Sequence, residues 1–220
     1  MLFPKIIILA PGGAHGDFLT EVCRLMVHNT KVNMNLDGKV YGTSVLKGNI
    51  FFKNDRYTSI SREQLEKLNL KTVELSHVWY DTFIDWPSKF FYISVDKKYI
   101  PIVSKMDLEK NHKGNKQAAV NNYLNFLPND LKKNLSKKKI EWFDFSKSVI
   151  TRAEKKYIKQ PQISAIKITD LYDLEKLQEQ LIKMNCYDVK KQDILKQVHC
   201  KWLKNNEKYI AEIFKIDNNK

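Results

Sequence analysis

Four short segments rich in strand-forming residues give the chain its pattern, and two of them are apolar runs. They are Lys5–Ala10, Lys71–Leu75, Lys89–Val95 and Ser164–Ile168. Each is rich in β-branched or aromatic residues and bounded by turn formers or charges, which predicts strands at 5–10, 71–75, 89–95 and 164–168. The runs at 5–10 and 89–95 are nearly continuous rather than alternating, as expected of strands buried on both faces of a parallel sheet. Between the runs, apolar residues recur every three or four positions. Phe18, Leu19, Val22, Leu25 and Met26 predict a helix over about 16–29. Leu171, Leu174, Leu177 and Leu181 predict another, capped by Asp170 and running to about Met184. A last helix is expected from about Lys190 to Phe214, one is expected to begin near Pro101, and residues 115–160 read as helical and basic.

The remaining stretches are less regular. Val32, Met34 and Leu36 alternate before a turn at Asp37-Gly38, which predicts a hairpin or an irregular excursion over 31–60. Ser61 and Gln64 have capping-box spacing and predict a short helix to about Leu68. Trp79 to Trp86 reads as a short helix or turn. Strands alternating with helices predict an α/β protein, a three-layer sandwich around a mostly parallel central sheet. No Pro/Gly/Ser-rich linker divides the 220 residues, so one domain over 1–220 is expected, with a basic helical insertion around 113–160.

The first run leads into the chain's most informative stretch, Pro11-Gly12-Gly13-Ala14-His15-Gly16-Asp17-Phe18. Strand, glycine-rich turn and helix together make an anion cradle. Glycine lets the backbone come close to a ligand, and the first N–H groups of the helix point at it. The spacing is not that of a standard phosphate loop, because Asp17-Phe18 stands where Lys-Ser/Thr would follow the last glycine. On this reading Gly16→Val removes anion binding at modest cost in stability. A protonated His15 supplies the cation that the turn lacks, and Asp17 is the helix cap or a base.

The net charge of +13 agrees with an anionic partner, although a Lys- and Asn-rich composition weakens that argument. Trp142, Phe143 and Phe145 interleave with the basic stretch; at helical spacing such aromatics are more often core, and a nucleic-acid-binding face is the further alternative. Cys23, Cys186 and Cys200 are scattered with no C-x-x-C spacing, which predicts no metal site and a reducing, cytoplasmic location. The apolar residues near the N-terminus are too few for a membrane span, so no transmembrane segment is expected.

Taken together, several segments resemble the sulfotransferase family of the P-loop superfamily. The opening turn with Phe18-Leu19 is similar to the family's phosphosulfate loop. Leu75-Ser76-His77-Val78 resembles the strand that ends in a histidine step. Phe90 to Asp96, with Ser104 downstream, resembles the strand and serine that meet the donor's 3′-phosphate. Ile166 to Tyr172 resembles the late strand and its following helix, and His199, Trp202 and Asn206 fit the pattern of the last helix. The resemblance implies a P-loop, sulfotransferase-like fold. It also implies transfer of a sulfuryl group from 3′-phosphoadenosine 5′-phosphosulfate to a hydroxyl or amine. Gly12, Gly13, Ala14, His15, Gly16, Asp17, Phe18, Lys97 and Ser104 would hold the donor, and His77, with His15, would carry the chemistry. The chain departs from the family where Ala14 and His15 replace a loop Lys or Arg, and where Asp96 follows the third strand in place of Arg. These departures leave a second reading open: a degenerate P-loop-fold protein that binds another anionic nucleotide, or a non-enzymatic basic binding protein.

Overall fold

The structure is a computed structural model that describes residues 5–27, 34, 36–40, 45–46, 52–53, 56–57, 73–77, 87–124 and 141–218. Seven strands are present among them: β1 (Ile6–Ala10), β2 (Val45–Leu46), β3 (Phe52–Lys53), β4 (Arg56–Tyr57), β5 (Val73–His77), β6 (Lys89–Ser94) and β7 (Ile163–Lys167). Five form one sheet in the order β2-β5-β1-β6-β7, and every pairing in it is parallel. β3 and β4 form a separate antiparallel pair. The strands predicted at 5–10, 71–75, 89–95 and 164–168 are thus β1, β5, β6 and β7. The predicted helix at 61–68 and the Trp79–Trp86 segment lie outside the described residues.

β1 is central because its sequence suits no other place. All five of its residues are buried, and each large aliphatic side chain taken fully from water stabilises the fold by roughly 1.5–3 kcal/mol. β7 shows the opposite pattern. Ile163 and Ile166 are buried while Ser164, Ala165 and Lys167 are exposed, as befits an edge.

Seven α-helices complete the described fold: α1 (Gly16–Val27), α2 (Ile100–His112), α3 (Lys116–Leu124), α4 (Trp142–Tyr157), α5 (Leu174–Lys183), α6 (Gln192–Asn205) and α7 (Glu207–Asn218). On one face of the sheet Ile6, Ile8, Ala10, Leu75, Phe91 and Ile93 pack with Phe18, Leu19, Val22 and Met26 of α1 and with Leu177, Leu181, Leu195 and Trp202 of α5 and α6. On the other face Tyr92 meets Tyr157 of α4, with ring centroids 5.5 Å apart. Helices therefore cover both sides, and the molecule is a three-layer α/β sandwich. A satellite cluster of Leu108, Ala119, Val120, Leu124, Trp142, Phe145 and Val149 joins α2, α3 and α4. Trp142 and Phe145 are accordingly core side chains, as aromatics at helical spacing usually are, and the stacking-surface alternative fails for them; Phe143 is exposed.

Two helix boundaries differ from expectation. Asp170 does not cap α5. It lies in a single 3₁₀ turn over Ile168–Tyr172 and accepts a hydrogen bond from Gln180. The cap is Asp173, whose carboxylate accepts from the Glu175 and Lys176 N–H groups. The expected last helix is two, because Asn206 breaks it. Its N–H turns back to Leu203 C=O, its side-chain amide donates to Trp202 C=O, and its own C=O accepts from Tyr209 and Ile210. Asp37-Gly38 does form a turn, flanked by an antiparallel bridge between Met34 and Val40.

Structure also joins residues with no sequence relation. Arg24 of α1 is buried, donating from Nε to Val73 C=O at 2.8 Å, from one terminal nitrogen to Glu21 at 2.5 Å, and from the other to Glu74 at 2.8 Å. Cys23 and Cys186, both buried free thiols, meet around Met184. Burial first, and Cys186 second, push the Cys23 thiol well up.

The topology positions a site. Taking the five parallel strands in chain order, the sheet reads 2-3-1-4-5. From β1 the chain runs toward the β2 edge, and from its neighbour β6 it runs toward the β7 edge. Connections that leave adjacent strands in opposite directions open a crevice outside their carboxyl ends, where open α/β sheets take ligands. Residues 11–15 and 95–99 border that crevice.

Candidate anion site at the carboxyl end of the sheet

The turn after β1 is tight. Ala14 N–H donates to Pro11 C=O at 3.1 Å, so it is not free to meet a ligand, which corrects its place in the cradle. Gly13 and His15 both adopt left-handed backbone conformations, with φ of 76° and 59°. The first helical bond of α1 runs from Leu19 N–H to His15 C=O at 3.1 Å. The N–H groups of Gly16, Asp17 and Phe18 therefore precede any intrahelical acceptor and form the positive end of α1.

Two of the turn's glycines are explained by the chain itself. A Cβ on Gly13 would lie 2.3 Å from Val103 C=O of α2. A Cβ on Gly16 would lie 2.4 Å from Ala10 Cβ and 2.8 Å from Leu75 Cδ1. The close approach these glycines permit is to a helix and to two strands, not to an anion. The side chain of Phe18 is likewise core, stacked on Trp202 with centroids 3.7 Å apart.

His15 is buried against the edges of Trp202 and Tyr172, with centroid distances of 4.8 and 5.8 Å. Burial first, and the nearby Lys110 ammonium second, lower its pKa to about 3. It is neutral at pH 7, so the expectation of an imidazolium facing an anion is corrected. The shift has a consequence for stability. The folded state resists protonation at His15 while the unfolded chain accepts a proton near pH 6.5, so the stabilisation is present above about pH 6.5 and is lost as pH falls toward 3. His199, lowered chiefly by burial, adds in the same direction. His15→Asn, which tolerates the left-handed backbone, is expected to flatten the pH dependence of unfolding free energy between pH 6 and 4. Urea titrations across that range check it.

The cation near the turn comes from elsewhere. Lys110 of α2 donates to Asn206 Oδ1 at the α6–α7 break and lies over the Tyr209 ring, 5.4 Å from its centroid. Although its side chain keeps an open surface, desolvation lowers the Lys110 pKa while the Asp17 carboxylate pulls it up. Its influence reaches both His15 and Asp17, which brackets the start of α1. Nothing in the spacing of Lys110 sets it apart from the other lysines of a Lys-rich chain.

Other expected residues are dispersed. Lys97 is exposed in the 3₁₀ turn after β6, at the crevice border. Asp96 caps that turn, accepting from Lys98 N–H at 3.1 Å, and Lys98 itself is held by Asp217. Asp217 also accepts from Tyr99 Oη, at 2.6 and 2.7 Å to its two oxygens. Ser104 is buried, with its Oγ 2.7 Å from Ser146 Oγ between α2 and α4, which corrects the expectation that it meets a donor phosphate. The His77 backbone closes β5 in register with Ala10, so β5 ends level with the strand that feeds the turn. Sequence reasoning missed Glu154 of α4. Its carboxylate accepts from Tyr92 Oη, Ser94 Oγ and Val95 N–H, at 2.8, 3.0 and 2.6 Å, and so pins the carboxyl end of β6.

Among the described residues no three His, Cys, Asp or Glu side chains group to hold a metal, and no helix is long and apolar enough to cross a membrane. Chemically, the crevice offers a positive helix end, a partly desolvated ammonium and a surface lysine: the elements of an anion site. Neither a protein-family model, nor a curated protein, nor a solved structure matches the chain.

Proposed function

We propose that the crevice outside β1 and β6 binds the anionic end of a nucleotide-type donor, and that the protein is a sulfotransferase-like enzyme using 3′-phosphoadenosine 5′-phosphosulfate. One observation carries this reading: the start of α1 lies at the point where the chain reverses direction across the sheet, with Lys110 bearing on it. The first-turn N–H groups and Lys110 would stabilise negative charge on the phosphosulfate, and Lys97 would add charge at the rim. In transfer to an acceptor hydroxyl, the acceptor oxygen bonds to sulfur as the bond between sulfur and the bridging oxygen breaks. Adenosine bisphosphate leaves with the electron pair, and the acceptor's proton passes to a base, for which His77 is the candidate.

The second reading, a protein of this fold that binds another anionic nucleotide without transfer, is favoured by the neutral His15 and by Asp96 at the end of β6. Thermal denaturation in the presence of adenosine 3′,5′-bisphosphate, ATP, GTP and sulfate separates the two. The bisphosphate is expected to raise the midpoint, and Lys110→Gln to weaken its binding by about tenfold or more, the worth of a charge-assisted contact. A midpoint moved only by ATP or GTP supports the second reading. A midpoint moved by none of them removes both.

A further inference from the structure

The last helix is fastened to the start of α2 by polar side chains. As residue numbers rise from Lys98 through Lys105 to Glu109, the partners on α7 fall from Asp217 through Glu212 to Lys208. The two helices therefore run antiparallel, and the end of α7 reaches residues 95–99 at the crevice border. Asp217 meets two donors there. Lys98 Nζ donates to its Oδ1, and Tyr99 Oη lies 2.6 and 2.7 Å from the two carboxylate oxygens. A phenol shared in this way addresses both oxygens of one planar group. Both donors are set in advance. Tyr99 is buried in the core. Lys98 is fixed by its own N–H, which donates to Asp96 Oδ1, and its ammonium lies 4.7 Å from the Tyr99 ring centroid. The cluster is nonetheless open to water: the side chains of Lys98 and Asp217 are 27% and 32% exposed.

Asp217 gains nothing from its own helix. It stands in the last turn of α7, at the end that is itself negative. It is also lightly held. Ile213 is the last core side chain of α7, and none of residues 214–218 is buried; an ion pair open to solvent contributes little. We infer that Lys98 Nζ and Tyr99 Oη form a binding site for a carboxylate at the crevice border, and that Asp217 fills it as an internal stand-in until the carboxylate of a ligand displaces it. When the last turn of α7 swings out, the hydroxyl of a buried tyrosine loses its acceptor, a state that folded proteins avoid. An incoming carboxylate replaces that acceptor oxygen for oxygen. The donors keep their protons throughout. The bond to Asp217 first, and that to Tyr99 second, hold Lys98 above its ordinary value; burial first, and Asp217 second, raise the Tyr99 phenol. The site requires neither Lys110 nor sulfuryl transfer.

Acetate is the probe. The readout is thermal denaturation of the full chain at constant ionic strength, with chloride as the balancing anion. Asp217→Ala removes the internal competitor and is expected to lower the apparent Kd for acetate about tenfold or more, since the site is then open in every molecule rather than in a small fraction of them. Tyr99→Phe added to Asp217→Ala changes no charge and is expected to abolish the gain. Lys98→Gln added to Asp217→Ala provides a second variant, at a surface position, with the same expected loss should the Tyr99 variant fail to fold. Inorganic phosphate is expected to gain less than acetate. No gain in Asp217→Ala overturns the inference, because Asp217 is then only an anchor for α7. So does a gain that survives Tyr99→Phe or Lys98→Gln, or one that is as large for phosphate, which marks a general cation rather than a carboxylate site. Lys110→Gln, expected to weaken adenosine bisphosphate binding, is expected to leave the acetate gain unchanged, so this inference and the proposed function fail separately.

Discussion

Gly16→Ala is expected to lower the unfolding free energy by about 3 kcal/mol, although alanine is the better helix former. In an exposed helix the exchange would gain up to about 1 kcal/mol. At Gly16 the added Cβ would stand 2.4 Å from Ala10 Cβ and 2.8 Å from Leu75 Cδ1, distances at which the start of α1 must lift from β1 and β5. Overpacking of this kind costs about 1–3 kcal/mol, and occasionally more, when the neighbours are backbone-borne and cannot turn aside. Ala10 Cβ has no rotamer to change, and its strand is paired on both sides. Gly16→Val adds two methyl groups to the same overlap and is expected to prevent folding, in contrast to the modest cost that the cradle reading assigned it. Urea denaturation of Gly16→Ala checks the argument. A loss below about 1 kcal/mol would show that β1 and β5 yield easily, and the helix–strand packing described here would be wrong.

Arg24→Ala is expected to cost about 3–5 kcal/mol, the usual penalty for removing one member of a buried ionic group. Its guanidinium is 2% exposed and serves Val73 C=O, Glu21 and Glu74 together, while the two carboxylates are 0% and 5% exposed. Without the guanidinium, two buried negative charges face each other across α1 and β5. Arg24→Lys is expected to recover little, because an ammonium carries its three N–H donors on one nitrogen and cannot reach acceptors set around a planar fork. Equilibrium denaturation of both variants tests this. If Lys restores most of the stability, charge alone matters and the geometry of the fork does not.

These two positions illustrate what can be read from residue order and what cannot. β1 and β6 were legible because an apolar run is a local property, and β5 and β7 because β-branched residues bounded by charges are equally local. β2 was not, since only two residues pair and no run marks them. The break at Asn206 was hidden because the helical period continues through it; the break is made by the residue's own hydrogen bonds. Nothing in the order of residues marks Arg24 and Glu21 as buried; β5, which brings Glu74 to them, does so. The site divides the same way. The glycine turn and its place after the first strand were visible in the sequence. The burial of His15 depends on Trp202 and Tyr172, and the nearby cation on a helix that starts after β6, so neither leaves a short-range trace. Glycine itself was ambiguous: it marks a close approach without saying to what, and at Gly13 and Gly16 the answer is the protein.

The central place of β1 also bears on how the chain reaches this state. Ile6 pairs with Val73 on one side and with Lys89 on the other, so β1 has no pairing partner near it in sequence. Its ladder forms only after long loops close, and the entropy of that closure is lost before any parallel bond rewards it. Topology therefore slows folding relative to helical bundles, whose contacts are local. Until β5 and β6 arrive, the five apolar residues of β1 stay exposed as an unpaired, aggregation-prone segment. The same central burial that stabilises the finished sheet makes this segment a hazard on the way to it.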